Sequence, residues 1–162
     1  MTAARAEVQR LVARSGSSFA AGMRLLPRER RAAVLAVYAF CRTVDDIADG
    51  PGCPAEKAAG LDAWEAEIGR AYGGRPRTAI GEELARAARA FALPRGEFAL
   101  ILEGMRMDAA AIVAPDPATL DRYVRCVAGA AGMLAMRVFG AWGGDRSAAF
   151  ALSLARAMQL VN

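Results

Sequence analysis

Tyr38-Ala39-Phe40-Cys41-Arg42-Thr43-Val44-Asp45-Asp46-Ile47-Ala48-Asp49 runs from an apolar stretch directly into three carboxylates. Val34, Val37, Tyr38, Cys41 and Val44 recur at helical spacing, which predicts one long helix from Arg28 to Asp49 with Pro27 at its start. Gly50-Pro51-Gly52-Cys53-Pro54 ends it. Asp45 and Asp49 stand one turn apart on the same face, a spacing at which like charges cost a helix on the order of a few tenths of a kcal/mol. Hard carboxylate oxygens in this arrangement suit Mg²⁺, which keeps several waters and bridges carboxylates to phosphates. A solvated acidic helix end has the same pattern, although the helix macrodipole disfavours negative charge at a C-terminus. Asp46 lies about 100° around the helix and is placed as the i,i+4 partner of Arg42. Carboxylates and an arginine at the lip of an apolar face suit a ligand with a hydrocarbon tail and a diphosphate head.

The rest of the chain is read as helices too. Its 162 residues include 39 Ala and 14 Leu, whereas Val, Ile and Thr together number 19. Strong helix formers dominate and β-branched residues are scarce, so an all-α fold is predicted. Helices are expected at 4–14, 19–26, 55–72, about 78–91, 94–107, 120–142 and from 146 onward, separated by Gly/Pro punctuation, with Thr119 as a cap. Gly129, Gly132 and Gly140 loosen the long segment from Leu120 to Trp142. Neither a repeat nor a low-complexity linker divides the chain, so residues 1–162 form one domain.

Charge and composition exclude several classes. The longest apolar run, Ala32 to Phe40, is far short of the roughly 20 residues of a membrane span. Met1 to Arg14 lacks the apolar core of a secretory signal. Cys41, Cys53 and Cys126 are widely spaced and fit a reducing cytoplasm, with no zinc or disulfide pattern. The chain has no histidine, which removes His-based triads and haem ligation. The net charge of +4 rests on 20 Arg and Lys57 alone, with no nucleic-acid module or aromatic-basic patch. Residues 1–44 carry eight Arg against Glu7 and Glu29, and Asp45, Asp46 and Asp49 follow at once. No Gly-rich dinucleotide fingerprint is present.

Several blocks together resemble the squalene/phytoene synthase family, the head-to-head prenyltransferases of the isoprenoid synthase helical bundle. They are Ser15-Gly16-Ser17-Ser18-Phe19, Leu25-Leu26-Pro27, Tyr38 to Arg42 and Val44 to Asp49, then Tyr123-Val124-Arg125-Cys126-Val127-Ala128-Gly129-Ala130-Ala131-Gly132, and finally Ala157-Met158-Gln159-Leu160-Val161-Asn162. Glu103 to Asp108 and Val138-Phe139-Gly140 are most similar to the bacterial hopanoid-pathway members that make presqualene diphosphate. The resemblance implies condensation of two farnesyl diphosphates with Mg²⁺ as cofactor. It implies that Asp45 and Asp49 bind the metal and, through it, a diphosphate, with Arg42 and Tyr38 nearby. Ser18 and Phe19 match the site mouth, where a plain N-cap and a core ring are the alternatives. Tyr123 matches a tyrosine near the reacting centre. Ala128, Gly129, Ala131 and Gly132 match small residues that admit the prenyl chain, and helix packing explains them equally. Gln159 and Asn162 match polar residues on the helix leading to a second aspartate motif.

That second motif is expected just beyond Asn162, where an apolar-periodic helix is still running. The chain is therefore read as the N-terminal portion of the fold. An incomplete gene product, a bundle completed by another polypeptide and a non-catalytic relative all fit this reading. The 162-residue chain by itself is expected not to turn over substrate. Squalene and phytoene synthases are the alternatives within the family. A cytoplasmic protein is expected, with peripheral contact to a membrane left open by its apolar product.

Overall fold

The computed structural model describes residues 2–16, 19–110 and 115–161, with the backbone alone described at 19–21 and 160. Among the described residues there is no strand. The helices are α1 (Ala3–Arg14), α2 (Phe19–Arg24), α3 (Arg28–Asp49), α4 (Pro54–Tyr72), α5 (Ala79–Phe91), α6 (Arg95–Ala109), α7 (Pro117–Val124), α8 (Ala130–Phe139) and α9 (Asp145–Val161). A π-helical turn, Arg125–Gly129, joins α7 to α8.

Helix ends follow local chemistry. The Thr2 and Thr78 hydroxyls accept from the N–H groups of Arg5 and Gly81 and cap α1 and α5. At α4, the Cys53 N–H donates to the Glu56 carboxylate at 2.8 Å. Two expectations need correction. The cap of α7 is Asp116, which accepts from the N–H groups of Ala118 and Thr119 at 2.9 and 3.0 Å; Thr119 sits inside the first turn and its hydroxyl donates to Asp116. Pro117 at the first helical position makes Asp116 the better cap, since proline has no N–H to satisfy there. The segment expected to end at Trp142 ends at Phe139. Gly140 takes φ +74°, and the Ala141 N–H turns back to the Met136 carbonyl at 3.0 Å.

Helix α3 is the axis of the bundle. Ala36, Ala39, Phe40 and Val44 are fully buried, and α1, α4, α5, α6 and α8 pack around them. Phe40 meets Trp64 and Phe98 edge to face at 5.7 and 5.4 Å. Burial of such a ring stabilises the fold by about 1.5–3 kcal/mol. Small residues on α3 let its neighbours approach closely, which fixes where its C-terminal carboxylates emerge.

Buried carboxylates hold the outer helices to one another. Glu83 of α5 receives Arg5 and Thr2 of the α1 end at 3.1 and 3.2 Å, together with Arg86. Glu67 of α4 accepts from the N–H groups of Arg77 and Thr78, the Thr78 hydroxyl and the Arg70 guanidinium, all within 3.0 Å. On α9, Ala151 and Ala155 are buried, while Phe150, Leu154 and Met158 form a largely exposed apolar stripe. No helix is long and apolar enough to cross a membrane among the described residues.

Candidate functional site

The last two turns of α3 carry Asp45, Asp46 and Asp49 to the surface. Val44 and Ala48 anchor the opposite face in the core. Lys57 of α4 donates to the Ala48 carbonyl at 2.7 Å, so a cation stands at the negative end of the α3 dipole. Arg42 contacts Asp46 at 2.6 Å and Asp45 at 3.3 Å. The intrahelical pairing expected for Arg42 and Asp46 is thus formed, and Asp45 shares the same guanidinium.

Asp45 is half-buried and Asp49 exposed. Burial, reinforced by the charge of Asp49, raises the Asp45 carboxyl above its ordinary value. Asp108, at the end of α6, is raised by its own burial and again by Asp49. Tyr123 of α7 lies close enough to Asp108 for the two groups to perturb each other. Burial and the carboxylates of Asp108, Asp49 and Asp45 hold its phenol well above the usual tyrosine value, so it remains a neutral donor. Three carboxylates and one phenol therefore share a single field, although Asp108 is not among the predicted site residues. Its signal was present: Asp108 follows Ile101 by seven residues and Met105 by three, on the buried face of α6.

Next to Asp45 lies a groove of about 280 Å³ lined by Tyr38, Cys41, Ile101, Met105, Val127 and Ala131, with Arg42 and Asp45 at its polar edge. The Tyr38 hydroxyl is 3.3 Å from the Ser15 hydroxyl, which ties the wall of the groove to the end of α1. Burial and the Asp45 charge push the Cys41 thiol up to about 12, so it lines the groove as a neutral side chain. Arg42 also borders a second groove of about 480 Å³ that includes Arg10, Arg14 and Ser15.

The structure thus gathers Asp45, Asp49, Arg42, Tyr38 and Tyr123 of the predicted set. Ala128 is half-buried within the π turn. Gly132 turns toward α9, where a methyl group would sit 3.8 Å from the Ala151 side chain. Gln159 is half-buried on the last turn of α9. Ser18 and Asn162 lie outside the described residues, and Phe19 is described by its backbone alone.

Among the described residues, no group of three or more carboxylate, thiol or imidazole side chains is close enough to enclose a metal ion. Asp45 and Asp49 nevertheless fit a hydrated Mg²⁺ by the chemistry of their donors. They are hard oxygens, mutually repelling, and a cation would offset both the burial of the Asp45 carboxylate and the Asp49 charge that together raise it.

Residues 12–162 match the family profile described as squalene/phytoene synthase. The presqualene diphosphate synthase of Rhodopseudomonas palustris is 44% identical over 148 residues, 91% of this chain and 52% of that protein. Its counterpart from Zymomonas mobilis is 43% identical over 151 residues, 90% of this chain and 50% of that protein. The crystal structure of squalene synthase HpnC from Alicyclobacillus acidocaldarius superposes with a TM-score of 0.86 at 30% identity, covering 96% of this chain and 58% of the other. The chain spans about half the length of the relatives it matches.

Proposed function

The chain belongs to the squalene/phytoene synthase family, and from that premise we propose that its protein condenses two molecules of farnesyl diphosphate head-to-head into presqualene diphosphate. The observation that carries this reading is the Asp45–Asp49 pair at the edge of an apolar groove, where burial, reinforced by the charge of Asp49, raises the Asp45 carboxyl. Presqualene diphosphate synthases at 42–44% identity favour this product over the others made in the family.

Asp45 and Asp49 would hold Mg²⁺. When bound, the metal supplies positive charge to the departing diphosphate. Arg42 exchanges Asp46 for phosphate oxygens, to which its planar fork is matched. Tyr38, Ile101, Met105, Val127 and Ala131 enclose hydrocarbon and exclude water. Loss of one diphosphate leaves an allylic cation. The double bond of the second substrate attacks it, and proton loss closes a cyclopropane. Tyr123, kept neutral and oriented by Asp108, presents a hydroxyl dipole and an aromatic face to this end of the groove. The 162 residues by themselves bind the ligand and do not turn it over, because one carboxylate cluster neutralises only part of the leaving charge.

Product analysis tests the assignment. Farnesyl and geranylgeranyl diphosphate are supplied separately, with Mg²⁺, to the protein bearing these residues. Presqualene diphosphate from the C15 substrate supports the proposal. Phytoene from the C20 substrate alone would reassign the product.

A further inference from the structure

The Arg125 side chain lies along the π turn that it begins. Its Cδ comes within 3.4 Å of where a Cβ on Gly129 would stand, and its guanidinium meets Glu97, at the start of α6, with two contacts of 2.8 Å. Beneath this span the Ala130 N–H donates to the Arg125 carbonyl, the i→i+5 bond of a π turn. The other side of the turn rests on Gly104 of α6, where a methyl group would come within 2.7 Å of Val127 and 3.1 Å of Cys126. Gly129 is fixed on a further side by Leu152 of α9, 2.9 Å from its Cβ position.

A π turn has a consequence for which side chains share a face. In an α-helix, residues four apart drift about 40° around the axis. The wider turn draws that drift back, so Tyr123, Val127 and Ala131 fall into one row. Val127 and Ala131 line the groove beside Asp45, and Tyr123 stands near enough to Asp108 to feel its carboxylate. The ion pair has a buried carboxylate and a half-buried arginine, and two parallel hydrogen bonds fix direction as well as distance. Glu97 also stands in the first turn of α6, where the helix dipole favours a carboxylate.

We propose that Glu97 and Arg125 are positioning residues: their pair straps the π turn and thereby sets Tyr123 against Asp108. The functional meaning of this placement rests on the prenyl diphosphate reading above; the placement itself does not. π turns inside α-helices are frequent at functional sites, and here the strap supplies the force that keeps one in place.

The test uses the full chain with ¹³C-labelled tyrosine rings, whose signals are assigned with Tyr123→Phe and Tyr72→Phe. Tyr72 packs on Phe98, the neighbour of Glu97, and reports local loosening of α6. In Glu97→Gln the Tyr123 signal is expected to move by more than its linewidth while the Tyr72 signal stays. Arg125→Lys, which keeps the charge and loses the fork, is expected to move Tyr123 in the same direction. A Tyr123 signal unchanged in both variants, or movement of Tyr72 alone, overturns the proposal. Absence of Mg²⁺-dependent ligand binding by the unaltered chain would count against the functional reading and leave this comparison intact.

Discussion

Arg42 is held more closely by Asp46, at 2.6 Å, than by Asp45, at 3.3 Å. Both contacts are substantially exposed, and such pairs contribute about 0–1 kcal/mol. Asp46 therefore competes weakly with any phosphate for the guanidinium. Asp46→Asn is expected to leave the melting temperature nearly unchanged and to tighten binding of a non-ionising farnesyl diphosphate analogue by about two- to threefold, equivalent to roughly 0.5 kcal/mol. Arg42→Lys, which keeps the charge and loses the fork, is expected to weaken it. Calorimetric titration in Mg²⁺ measures both.

Asp108 gives a prediction with a definite sign. Its folded-state pKa is raised, first by burial. The folded chain therefore holds this proton more tightly than the unfolded chain does. The resulting stability is complete below the ordinary aspartate value of about 3.9 and is lost as pH rises through the folded value. At neutral pH the charged group is a burden. Asp108→Asn is expected to raise the melting temperature near neutral pH, with the gain shrinking toward about pH 4. Asp45 has the same sign, so Mg²⁺ should stabilise the unaltered chain more at neutral pH than in acid. Scanning calorimetry across this range checks both trends.

Glu67 behaves in the opposite way. Burial alone pushes its carboxyl up, but hydrogen bonds from Arg77, Arg70 and Thr78 outweigh it and hold the group below the ordinary range. Its stabilisation is present above the ordinary glutamate value of about 4.3 and is lost as pH falls through the folded value. Removal of the carboxylate in Glu67→Ala strands several buried donors. The expected cost is about 3–5 kcal/mol, read from urea unfolding, and it should diminish in acid. Glu67→Gln keeps an acceptor and should cost less.

Two glycines of α6 provide an internal comparison. A methyl group at Gly104 would collide with Val127 at 2.7 Å, whereas nothing lies within 4 Å of the corresponding position on Gly96. Gly104→Ala is expected to destabilise the chain by about 1–3 kcal/mol. Gly96→Ala should stabilise it by about 0.5–1 kcal/mol through helix propensity. Equal effects at the two positions would contradict the close approach of α6 to the π turn.

The helices were legible because their information is local. The periodicity of Val34, Val37, Tyr38, Cys41 and Val44 and the stop at Gly50-Pro51-Gly52 predicted α3 with the ends that the structure has. Asp45, Asp49 and Arg42 could be read for the same reason, since they share one helix. Asp108 and the Glu97–Arg125 pair depend on which helices meet, 28 residues apart in the case of the pair. No periodicity within one segment encodes that meeting. The π turn escaped for a related reason: Gly129 looked like a loosening residue, and only its neighbours Arg125 and Leu152 show why it must be small.

The central claim is that Asp45 and Asp49 bind a prenyl diphosphate through a divalent cation. Titration of the 162-residue chain with a non-ionising farnesyl diphosphate analogue, with and without Mg²⁺, tests it most directly. Saturable binding is predicted only when Mg²⁺ is present, and it should disappear in the Asp45→Asn/Asp49→Asn variant. Binding that ignores Mg²⁺, or that survives the double substitution, would contradict the account.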